Sequence, residues 1–108
     1  MNYKIFTILP FDKQIKRLTK KFPSLKSDFI ELTENLEINP FQGTNIGNQC
    51  FKIRLVIKSK GKGKSGGARV ITHIKVIENK VFLLAIYDKS EHEGIAESEI
   101  KYLLSFIK

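Results

Sequence analysis

At 108 residues, 42% of them hydrophobic and 28% charged, the chain has the size and balance of one globular domain with a modest core. No apolar run reaches the roughly 18–20 residues of a membrane span, and the single cysteine, Cys50, excludes an internal disulfide and fits a reducing compartment. Nineteen Lys and Arg against eleven Asp and Glu give a net charge of +8, which favours an acidic partner, either nucleic acid or an acidic protein.

In chain order, residues 3–9 alternate as a strand, with Tyr3, Ile5, Thr7 and Leu9 on one face, and Pro10 is expected to end it. This apolar stretch is too short and too interrupted for a signal peptide, so a cytoplasmic location is expected. Phe11, Ile15, Leu18 and Phe22 then recur at helical spacing up to Pro23. A second stripe, Leu25, Phe29, Leu32 and Leu36, predicts another helix, with Asp28, Glu31, Glu34 and Glu37 on its solvated side. Asn39-Pro40 stops it, because the residue before proline is pushed out of the α region. Together the two segments read as a helical hairpin.

Residues 42–49 read as a loop. Residues 51–57 form the next expected strand, pointing Phe51, Ile53, Leu55 and Ile57 one way and Lys52, Arg54, Val56 and Lys58 the other. A strand over 69–77 carries Arg69, Ile71, His73 and Lys75 on one face. After a turn at Glu78-Asn79-Lys80, residues 81–88 are apolar on both faces, as an interior strand would be. Ser90-x-x-Glu93 resembles a capping box, and Ala96, Ile100, Leu103 and Ile107 mark a last helix. The expected order is β-α-α-β-β-β-α in one domain over 1–108, an α+β fold whose antiparallel sheet packs the hairpin on one face and leaves the other partly open.

The segment KSKGKGKSGGAR, residues 58–69, carries five cations, four glycines and no acid, and contributes +5 of the net +8. Glycine lets a backbone approach a partner closely, and lysine supplies rotatable point charges that suit a polyanion. The same lysines also suit a solvated hairpin tip. If the flanking strands pair, Lys52, Arg54 and Lys58 on one and Arg69, His73 and Lys75 on the other form a cationic face, with Tyr87 and Lys89 at its border and an aromatic ring available for base stacking. His73 reads equally as a structural histidine. Gly63-Lys64-Ser65 is not a phosphate-binding P-loop, because position 58, where that motif needs glycine, is lysine. Neither a zinc-ligand spacing nor a Ser-His-acid triad stands out.

The run KIRLVIKSKGKGKSGGARVITHIKVIENKVFLLAIYDKSE, from Lys52 to Glu91, resembles the RelE/ParE superfamily of bacterial type II toxins, in particular its RelE- and HigB-like RNase branch. The SKGKGKSGGAR core and LLAIYDKSE carry the resemblance. It implies a ribosome-dependent mRNA endonuclease that cuts in the ribosomal A site with the ribose 2′-hydroxyl as nucleophile, needs no metal or other cofactor, and is held inactive by a cognate antitoxin. By the same resemblance Arg69, Arg54, Tyr87 and Lys89 are the candidate catalytic residues. Lys52, Lys58, Lys60, Lys62, Lys64 and His73 would contact RNA. The RelE pattern has a further arginine where this chain has Ser90, and a C-terminal tyrosine where it has Ile95 and Ala96. The general base therefore stays open among Tyr87, Lys89 and His73. A ParE-like gyrase inhibitor on the same fold and a non-catalytic RNA-binding protein are the alternatives.

Overall fold

A computed structural model describes residues 2–61, 66–92 and 94–107. Strand β1 (Lys4–Thr7) ends before Pro10, which opens helix α1 (Leu9–Lys21) instead of terminating a strand. Proline is well tolerated in a first helical turn, where its missing N–H would have no partner anyway. Asp12 in the first turn and Lys20 and Lys21 in the last complement the helix dipole. Pro23 and Pro40 then bracket helix α2 (Leu25–Ile38).

Four strands follow where three are expected: β2 (Thr44–Gly47), β3 (Cys50–Leu55), β4 (Ala68–Lys75) and β5 (Lys80–Asp88). Between β3 and β4 the chain makes a one-turn 3-10 helix, Lys58–Lys60. Helix α3 (Glu97–Leu104) closes the order. Its N-cap is Ala96, so Ser90 does not start it, and Glu93 of the expected capping box lies outside the described residues.

The sheet order is β1-β5-β4-β3-β2. Strands β2 to β5 form the expected antiparallel meander, but β1 joins β5 in parallel, so the sheet is mixed. The two α-helices between β1 and the meander supply the long connection that brings β1 in beside β5. Strand β1 stops opposite Leu83, and the Ile86 N–H beyond it donates to Gln14 Oε1 of α1 at 2.9 Å.

Alternation sends Ile53, Leu55, Val70, Ile74, Val81, Leu83 and Ile86 to the hairpin side, where they are buried with Phe11, Leu18, Leu25, Leu32 and Leu36. Each such side chain contributes about 1.5–3 kcal/mol by leaving water. The second face is less open than expected. Helix α3 packs against β5 there, burying its own Ile100 and Leu103, and Ile71 and Ala85 on that face are buried as well. Asp28 departs from the sequence reading: it is only 3% exposed, and it accepts from Ser24 Oγ at 2.7 Å and from the Lys58 N–H at 3.1 Å.

Candidate functional site

The register of three strands creates the site. Arg54 of β3 lies opposite Arg69 of β4, and Arg69 lies opposite Tyr87 of β5. Directly opposed residues share a face, so the three side chains form one row across the sheet. Two arginines facing each other across a strand pair are unfavourable by themselves, and an anion between them would relieve this. Arg54 is exposed, whereas Arg69 and Tyr87 are 5% and 6% exposed. Arg69 Nη1 donates to the Ala68 carbonyl at 3.1 Å.

Gly67 explains how β4 reaches this position. A Cβ there would sit 2.2 Å from the Leu55 carbonyl oxygen, so only glycine lets the chain pass this close to β3 one residue before β4 begins. Its carbonyl also accepts the Lys89 N–H at 3.1 Å, which ties the end of β5 to the start of β4. Lys89 itself is exposed beside the row.

Burial pushes the Tyr87 phenol above its ordinary value; the Arg69 charge opposes this and Glu99 of α3 reinforces it. At neutral pH the group is therefore protonated and able to donate a proton. Its oxygen is buried, with no hydrogen-bond partner among the described residues. The His92 ring stands edge-on to the Tyr87 ring at 5.7 Å. Sequence periodicity could not single out His92, because it follows the last strand in an irregular segment. Only the return of the chain over Tyr87 brings an imidazole to the row.

His73, by contrast, lies two rows away from Arg69 on the same face, roughly 13 Å along the strand at ~3.3 Å per residue. Its Nδ1 is 3.0 Å from the Asn48 carbonyl and 3.6 Å from Cys50 Sγ. Burial lowers its pKa, with a smaller contribution from Lys75, against the hydrogen bond to Asn48. Lys52 occupies the row between, opposite Ile71, and lines an open cleft of about 460 Å³ with Asn48, Ile95 and Ile100. Cys50 is buried, and desolvation raises its thiol to about 11, so it is inert at neutral pH.

The basic segment divides. Strand β3 ends at Leu55, so Lys58 does not continue the face of Lys52 and Arg54. The chain turns toward α2 instead: the Ser59 N–H donates to Ser24 Oγ at 2.8 Å, and Lys58 Nζ meets Glu31 at 3.4 Å. Lys60 Nζ is 2.5 Å from Asp88 Oδ1, a carboxylate with no exposed side-chain surface, and Lys21 approaches the other oxygen at 3.7 Å. Burial alone would raise the Asp88 pKa, but hydrogen bonds from Lys60 and Ser90 outweigh it and hold the carboxyl below its ordinary value. Lys60 thus fixes the base of the segment to a buried acid, whereas Lys58 meets Glu31 at the surface. Lys62 and Lys64 lie outside the described residues.

Among the described residues, no group of three or more His, Cys, Asp or Glu side chains is placed to hold a metal ion, and no helix is long and apolar enough to cross a membrane.

Residues 4–108 match the sequence model of the family described as the RelE toxin of the RelE/RelB toxin–antitoxin system. Solved structures with this fold include the toxin–antitoxin complex RelBE2 of Mycobacterium tuberculosis, 14% identical with a TM-score of 0.61 over 82% of this chain and 99% of that one. An arginine-substituted Escherichia coli RelE toxin in the free state is 17% identical, with a TM-score of 0.58 over 100% of both chains. A metal-bound toxin from Helicobacter pylori is 24% identical, with a TM-score of 0.53 over 84% of this chain and 98% of that one.

Proposed function

The chain belongs to the RelE toxin family of toxin–antitoxin systems, and from that premise we propose that it arrests translation by cutting mRNA in the ribosomal A site of the cytoplasm. The single observation that carries this reading is the Arg54–Arg69–Tyr87 row, two cations and a protonated phenol in direct register on one sheet face.

The chemistry follows from what each group can do. The ribose 2′-oxygen attacks the adjacent phosphorus and gives its proton to a base. The P–O5′ bond then breaks, leaving a 2′,3′-cyclic phosphate and a 5′-hydroxyl. Arg69 and Arg54 stabilise the charge that builds on the phosphate oxygens. Tyr87, held protonated, donates to the departing 5′-oxygen. His92, the imidazole beside Tyr87, joins Lys89 as a candidate for the base, whereas His73 lies two rows along the strand from Arg69. Because Tyr87 and Arg69 are buried, productive docking would require a local rearrangement that exposes them. The ribosome would supply substrate alignment, which a fold this small cannot provide alone. Lys52, Arg54 and Lys89 would hold the message, as would Lys62 and Lys64. A cognate antitoxin, the partner this family implies, would cover the cationic face.

Induced expression followed by transcriptome-wide mapping of 5′ ends should yield 5′-hydroxyl cuts at fixed codon positions in translated messages only. Cuts that ignore translation would remove the A-site mechanism. DNA breaks with an SOS response would indicate a gyrase inhibitor, and salt-dependent RNA binding without cuts would leave a non-catalytic binder. Tyr87→Phe is expected to leave thermal stability unchanged or slightly higher, because it deletes a buried hydroxyl without a described partner. The same change should slow single-turnover cleavage on programmed ribosomes by about 10²-fold or more. Unaltered cleavage by this variant would take Tyr87 out of the chemistry.

A further inference from the structure

The face that carries the Arg54–Arg69–Tyr87 row bears a second constellation at the β1 end of β5. Phe6 and Phe82 are register partners, and their rings stack with centroids 5.5 Å apart and planes 27° from parallel. Phe6 is 38% exposed, so the aromatic pair is not sealed from solvent. Lysines surround the pair. Lys80 Nζ lies 5.5 Å from the Phe6 ring centroid and Lys75 Nζ 5.8 Å from that of Phe82. Lys4 is the register partner of Lys80, and Lys80 that of Lys75, so three lysines form a row beside the aromatic one. Glu78 meets two of them, 3.1 Å from Lys80 and 3.7 Å from Lys75, and its single charge is fewer than the three of the lysine row.

We propose that Phe6 and Phe82 are a stacking platform for single-stranded RNA, with Lys4, Lys75 and Lys80 meeting its phosphates. Aromatic faces accept any base, and lysines beside them neutralise the backbone. The excess of cations is complementary to RNA. Base stacking would release the two lysines from the ring faces to the phosphates. The platform lies roughly 16 Å from Tyr87, five residues along β5 at ~3.3 Å each, so one strand of message can reach both. The proposal rests on the reading that this sheet face receives RNA, but it does not require that the chain cut it.

The test is anisotropy titration of a labelled, unstructured oligoribonucleotide with the full chain carrying Arg69→Lys, so that the probe survives. Phe6→Leu and Phe82→Leu should each weaken binding about fivefold or more. Lys4→Gln and Lys80→Gln should each reduce the salt slope by about 0.7, and these surface changes serve if a phenylalanine variant fails to fold. A 5-bromouridine probe should crosslink to the peptide holding Phe6 or Phe82. Unchanged affinity and slope in folded variants, crosslinks only elsewhere, or loss of antitoxin binding with RNA affinity intact would each overturn the platform. Absence of cleavage by the unsubstituted chain, with the platform variants still losing RNA affinity, would sink the nuclease reading alone.

Discussion

Arg69→Lys is expected to abolish growth arrest on induction and to lower single-turnover cleavage on programmed ribosomes by about 10²–10³-fold. Lysine keeps the charge but loses the planar fork that can grip two phosphate oxygens at once. It is a better probe than Arg69→Ala, because Arg69 is only 5% exposed and truncation would leave a cavity beside Ile71 and Tyr87. A melting curve close to that of the parent chain, with toxicity gone, is the outcome that supports a catalytic role. Full toxicity at normal expression would remove Arg69 from the mechanism. Arg54→Gln should be milder in its effect on cleavage, since Arg54 is exposed at the rim of the row, and it should cost no stability because it relieves the opposition of two arginines.

Lys60→Met is expected to destabilise the fold by about 3 kcal/mol, read as a lower urea midpoint at unchanged m-value. The loss comes from removing the nearest cation of the buried Asp88 carboxylate, which keeps the Ser90 N–H at 3.1 Å and Lys21 at 3.7 Å. The double change Lys60→Met with Asp88→Asn should recover much of that loss, because it removes the stranded charge. The pH dependence has a defined sign. Asp88 has a depressed folded-state value, so its contribution is complete above the unfolded aspartate value of about 3.9 and is lost as pH falls from there through the folded-state value. Without Lys60 the carboxyl titrates higher, and acid destabilisation should begin at a higher pH. An unchanged acid limb in Lys60→Met would show that the pair does not govern this region.

These two experiments separate parts of the same basic segment. The sequence presents KSKGKGKSGGAR as one cationic run, yet its members have different partners. Lys60 fastens the run to Asp88, Lys58 meets Glu31 at the surface, and Arg69 takes its place in the row by register. A charge count cannot separate these uses, because the acids that claim the lysines are 27 and 28 residues away in the chain.

Periodicity and proline placement made most of the fold legible. The apolar stripes of both helices, the alternation of β3 and β4 and the doubly apolar β5 are local patterns, and each fell where hydrophobic burial requires it. Three features were not legible in that way. Strand β2 looks like loop in the sequence because its hairpin turns through Asn48 and Gln49, both with positive φ, where a glycine would be the recognisable signal. Pro10 is ambiguous in the sequence, because a proline just inside a helix start and one just after a strand leave similar marks. The parallel pairing of β1 with β5 joins residues 76 apart in the chain, Lys4 with Lys80, and nothing near either one announces it.

Sequence alone therefore determined the α+β class, the helical hairpin, the cationic character of the central strands and, through the SKGKGKSGGAR and LLAIYDKSE runs, the family. Those properties are carried by residue type and short-range spacing. Tertiary structure alone decided that Arg54, Arg69 and Tyr87 share one row, that His92 and not His73 stands beside the phenol, that Asp88 claims Lys60, and that Phe6 meets Phe82. The physical reason is register. Which residues face each other across a sheet is set by how whole strands bury their apolar faces, and a slip of one position would turn the slipped strand's side chains to the other side.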